Sequence, residues 1–84
     1  MHPSPETVTR LVVESLADLT SRPASSIRLT DRLISDLRLD GDDFSLVFVP
    51  GLEKALRVKT DPLAWEHLST VQQVIAYLVD ACSE

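Results

Sequence analysis

Apolar residues along this chain recur at helical spacing, and nowhere do they alternate with period two over a useful length. Val8, Leu11, Val12, Leu16 and Leu19 follow one another at three- and four-residue steps, which places them on one face of a helix. Ser4 suits the N-cap, Pro5 the first helical position, and Glu6 the positive end of the helix dipole. Pro23 predicts the end of this helix, because proline disfavours helical backbone in the residue before it. A second stripe, Phe44, Val47, Phe48, Gly51, Leu52, Ala55 and Leu56, predicts a helix opening at Asp40. Pro50 falls within it, lacks an N–H and crowds the carbonyl of Leu46, so a bend near residues 49–51 is expected rather than two helices. Asp61-Pro62 reads as the cap and first position of a short third helix carrying Leu63, Trp65 and Leu68. Ser69-Thr70-Val71-Gln72 matches a capping box, with Ser69 and Gln72 satisfying each other's amides. It opens a last helix striped by Val71, Val74, Ile75, Leu78 and Cys82.

Residues 21–39 form a connection longer than a helix hairpin requires, and long loops in compact domains often carry function. Ile27, Leu29, Leu33, Ile34, Leu37 and Leu39 should pin it to the core, with one short helical turn at residues 30–34. The pattern predicts an all-α fold: a four-helix bundle with a long first loop and a short third helix. Residues 1–84 form one domain on this reading, with 1–4 as a flexible tail.

Charge narrows the partners. Eight basic against 13 acidic residues give a net charge of −5, and such a surface repels phosphate backbones and anionic lipid. A protein partner with a basic surface is favoured over nucleic acid or membrane. One cysteine, Cys82, excludes an intramolecular disulfide and fits a reducing compartment; its place on an apolar stripe marks a core-edge residue rather than a reactive thiol. No apolar run reaches the length of a membrane span. The start, Met1 to Glu6, is neither basic nor apolar, so no signal peptide is expected and a cytoplasmic location follows by elimination.

Candidate chemistry is sparse. His2 and His67 have no second ligand at zinc spacing, so no metal site is expected. Asp36, Asp40 and Gly41 match three calcium-loop positions, but Arg38 and Val47 stand where ligands are required. Gly41 and Gly51 make no phosphate-cradling loop, and no serine, histidine and aspartate share a nucleophile context. An enzyme is therefore not expected. Asp40, Asp42 and Asp43 can cap the second helix, form an acidic recognition surface, or do both. Asp42, Asp43, Leu46, Val49, Pro50, Glu53 and Arg57 lie opposite the core stripe or on its flanks. Leu46, Val49 and Pro50, rimmed by charge, could dock a partner or merely sit under the long loop.

Several segments resemble the acyl carrier protein family. Ile34-Ser35-Asp36-Leu37-Arg38-Leu39-Asp40 is similar to the acidic run before the family's Asp-Ser-Leu attachment motif. Leu52-Glu53-Lys54-Ala55-Leu56 resembles the end of its second helix, and residues 68–78 (LSTVQQVIAYL) resemble its last helix. In that family the serine receives 4′-phosphopantetheine. Counting forward from Asp36-Leu37 places it at Gly41; counting back from Leu56 places it at Asp42; neither has a hydroxyl. The Gly-Asp-Asp run also resembles a bacterial group of carrier-like proteins with those residues in place of the serine. The resemblance implies the bundle and a partner-facing second helix (Asp40, Asp42, Asp43, Leu46, Val49 and Glu53) with no prosthetic arm. The alternative is a genuine acyl or peptidyl carrier bearing 4′-phosphopantetheine at Ser45, although the core stripe already begins at Phe44 and would put Ser45 inside the helix.

Overall fold

In the computed structural model, which describes residues 3–82, helix α1 spans Pro5–Thr20. Ser4 caps it: the Ser4 hydroxyl accepts the Thr7 amide at 3.2 Å, and Pro5 takes the first position. Of the expected flexible tail, Ser4 is thus a cap, while Met1 and His2 lie outside the described residues. Val8, Val12 and Leu16 are fully buried, and Leu11 and Leu19 pack on their flank. Termination differs from the proline-based expectation. Ser21 adopts a left-handed conformation, and both its amide and that of Arg22 turn back to the Ala17 carbonyl.

The connection contains a 3-10 turn, Ala24–Ser26, that the sequence pattern did not indicate. The expected helical turn lies at residues 33–36, later than predicted, and Arg38 leaves it with φ 56°. Ile27, Leu33, Leu37 and Leu39 are buried as expected, but Leu29 and Ile34 are not: they are 47% and 55% exposed. The reason is where the loop is tied. It runs beside the start of the last helix, with an isolated bridge between Arg32 and Thr70. Leu33 donates to the Ser69 carbonyl at 2.9 Å, and Val71 and Gln72 donate to the carbonyls of Asp31 and Leu29 at 3.0 and 2.8 Å.

The second helix starts at Gly41 and is continuous to Leu56, in three parts. Helix α2 spans Gly41–Asp43, a π turn spans Phe44–Phe48, and α3 spans Val49–Leu56. No split occurs at Pro50. The expected bend at residues 49–51 is replaced by the π turn one turn earlier, in which the Val49 amide reaches back to the Phe44 carbonyl. A π turn widens the helix, and here it does so where the Pro50 ring would otherwise strike the Leu46 carbonyl. The extra residue sets the downstream face back by one position. Phe48, Leu52 and Leu56 are buried and Val49 packs beside them, whereas Val47, Gly51 and Ala55, expected in the core, are exposed.

Helix α4 spans Pro62–Trp65, capped by Asp61, whose carboxylate accepts the Leu63 amide at 2.9 Å. Leu63 is exposed and Trp65 is buried, while Leu68 lies past the end of the helix. Helix α5 spans Val71–Cys82. Its cap sits one residue later than predicted: Thr70 accepts the Gln73 amide at 3.3 Å, and the Gln73 side chain accepts the amides of Ser69 and Thr70 at 2.7 and 3.2 Å. The first three amides of α5 are thus bonded to the Asp31 carbonyl, the Leu29 carbonyl and the Thr70 hydroxyl, closing the account a helix start demands.

The described residues are all-α, with no strand. Helix α1 packs along α5 and against the second helix, and one apolar cluster from Val8 to Cys82 fills the space between. The Cα radius of gyration is 11.7 Å. That is the value expected for one compact body of this length, about 12 Å.

Candidate functional site

The acidic opening of the second helix is built from the backbone outward. Asp40 is its N-cap and accepts the Asp42 amide at 2.9 Å. Gly41 is the first helical residue, and a Cβ added there would meet nothing within 4 Å. Asp40 and Asp42 are exposed; Asp43 is half-buried. Capping therefore accounts for Asp40, and the Asp42 and Asp43 carboxylates complement the positive end of the helix.

Ser45 lies inside the π turn, one turn past the opening, and its hydroxyl donates to the Gly41 carbonyl at 2.9 Å. The residues at the helix opening do not fit a phosphopantetheine ester: neither Gly41 nor Asp42 has a hydroxyl to carry the phosphodiester. The one nearby hydroxyl sits within the helix and is bonded to its backbone.

The outer face divides. Leu46 is 72% exposed and Val47 is 50% exposed. Val49 and Glu53, expected opposite the core stripe or on its flanks, are half-buried and border α4. Glu53 is held internally: one carboxylate oxygen accepts both the Thr60 amide and the Thr60 hydroxyl, each at 2.7 Å. The Trp65 indole N–H donates to the Thr60 hydroxyl at 2.7 Å, and the Tyr77 hydroxyl accepts the Asp61 amide at 3.0 Å. Arg57 ends the helix in a left-handed conformation, φ 56°.

Between the second helix and α4 lies a cleft of about 400 Å³. Phe44, Val49, Pro50 and Trp65 supply its apolar walls, with Ser45, Glu53 and Glu66 at polar positions. Behind it both phenylalanines, the tryptophan and the tyrosine of the chain join one cluster. Trp65 meets Phe44, Phe48 and Tyr77 edge-on, with ring centroids 5.8, 6.1 and 5.8 Å apart. Such pairs add about 0.5–1.5 kcal/mol each beyond their burial. Trp65 is buried and Tyr77 packs at the edge of the core. Thr60 was not singled out in the sequence: a lone threonine between helices carries no periodic signal, and only the Glu53 and Trp65 geometry reveals it.

Cys82 is buried at the core edge, and burial pushes its thiol above the ordinary value. Among the described residues no group of three or more His, Cys, Asp or Glu side chains could hold a metal, and no helix is long and apolar enough to cross a membrane. No protein-family model matches this chain, and no curated protein matches it either.

Proposed function

We propose that this chain is an acyl-carrier-like, four-helix protein-interaction module that lacks the prosthetic arm and docks on a basic protein surface through its second helix. The observation that carries this reading is Leu46, 72% exposed one turn after Asp42 and Asp43. A large apolar side chain so exposed beside acids, on a chain of net charge −5, favours a partner that combines apolar and basic groups. The absence of a hydroxyl at Gly41 and Asp42 supports the loss of the carrier step.

A second reading keeps the carrier chemistry at Ser45, because Ser45 is exposed and borders the cleft. Intact-mass measurement after incubation with coenzyme A and a broad-specificity phosphopantetheinyl transferase separates the two. No mass gain is expected. Gain of one arm, abolished by Ser45→Ala, rejects the first reading. Gly41→Ser has room for its side chain yet should also stay unloaded, because the acid Asp42 follows where the family has the apolar residue after its serine; efficient loading would contradict that. For the docking role, Leu46→Asp should leave helicity intact and abolish binding, and unchanged binding removes the second helix from the proposal.

A further inference from the structure

The large apolar residues exposed among the described residues are Leu29, Ile34, Leu46, Val47 and Leu63. Four of the five fall in pairs on two neighbouring segments of opposite net charge. Leu46 and Val47 follow the acids Asp40, Asp42 and Asp43. Leu29 and Ile34 sit on the long connection among Arg28, Arg32 and Arg38, all three exposed. Asp31 and Asp36, the acids among them, accept the Arg28 and Arg32 amides at 2.9 and 2.8 Å and keep their charge. Residues 28–38 thus carry three basic against two acidic groups, net +1, and residues 40–47 carry three acidic and no basic groups, net −3. The chain therefore presents both an acidic-apolar face and the kind of basic-apolar face that complements it.

We infer that the occupant of the second-helix face is a second copy of this chain, seated through its Arg28–Arg38 connection. This deepens the proposed docking role and rests on it. The two faces adjoin, since Arg38 ends the connection and Asp40 opens the helix, with only the buried Leu39 between them. A two-fold axis near Leu39 lets each connection meet the other copy's helix, so the contact is made twice and closes. A stable dimer buries about 800 Å² per partner, against 5626 Å² of total surface here, and two reciprocal patches supply that area more readily than one. Basic groups on one copy facing acids on the other make the contact salt-sensitive.

Sedimentation of the full chain across concentration, at low and high salt, tests this. A monomer–dimer equilibrium that weakens with salt is expected. Arg28→Glu/Arg32→Glu/Arg38→Glu and Asp42→Lys/Asp43→Lys should each weaken self-association by at least about tenfold, with folding checked by far-UV circular dichroism. Mixing the two variants should restore a dimer, because the reversed connection of one now complements the reversed helix of the other. A wild-type chain that stays monomeric at low salt overturns the inference, as does a dimer indifferent to salt and to both reversals. If the monomeric chain still binds a different basic protein through Leu46, only the self-docking fails. If Leu46→Asp leaves that binding intact as well, the docking role falls with it.

Discussion

The two halves of this molecule are held by different means. On one side α1 and α5 meet through ordinary apolar stripes, and Val8, Val12, Leu16, Val71, Val74 and Leu78 are all fully buried. On the other side the second helix and α4 meet through an interrupted helix, a ring cluster and the Glu53–Thr60–Trp65 bonds. The first half depends on burial, which many side chains of the right size would supply. The second depends on particular groups at particular distances, and a cleft remains open within it. The difference teaches that the half closest to the candidate surface is also the half least determined by generic packing.

Leu78→Ala in α5 and Trp65→Ala in α4 should produce the largest effects and strike both halves. Removing a fully buried leucine costs about 2–5 kcal/mol and a buried tryptophan about 3–5 kcal/mol. Leu78→Ala should lower the urea midpoint of the whole domain with an unchanged slope. Trp65→Ala removes the ring shared by three aromatic contacts together with the Thr60 bond, so it should loosen the cleft before the bundle unfolds. Native-state amide exchange distinguishes these outcomes. Equal acceleration everywhere in both variants would erase the proposed division.

Glu53→Gln is a milder way to sharpen the comparison. It keeps the size of the side chain but removes the charge from two bonds to Thr60, for a cost of about 1–2 kcal/mol. Exchange should quicken at Thr60 and at the Trp65 indole while α1 and α5 amides stay protected. No change at Thr60 would show that the ring cluster alone holds α4 in place.

Sequence legibility follows the same line. The α1 and α5 stripes, the Ser4 and Asp61 caps and the buried Ile27, Leu33, Leu37 and Leu39 were readable, because burial and capping leave regular marks. The π turn was not, since one proline inside a helix fixes neither the place nor the form of its irregularity; the misassigned Val47, Gly51 and Ala55 follow from it. Leu29 and Ile34 look like core residues in any count of apolar positions. Only the backbone bonds tying the connection to α5 decide that they face outward. The acids at the candidate surface were legible as types, but the internal engagement of Glu53 was not, because its partner Thr60 lies beyond the left-handed Arg57 that ends the helix, where helical spacing no longer says which residues meet.

The smallest expected effects come from a motif the two halves share. Ser21 ends α1 and Arg57 ends the second helix, each in the left-handed conformation, with φ 55° and 56°. A side chain in that region crowds its own backbone and costs roughly 1 kcal/mol, whereas glycine adopts it freely. Glycine also enlarges the freedom of the unfolded chain, which offsets part of the gain. Ser21→Gly and Arg57→Gly should therefore each stabilise the fold by only about 0.5 kcal/mol, read as a small rise in the urea midpoint. The two gains should be nearly equal if the helix ends are set by local geometry alone. A loss on Arg57→Gly, with the gain kept at Ser21, would mean that the segment leading to Thr60 needs the stiffness of a non-glycine residue. The specificity of the second half would then extend to its backbone.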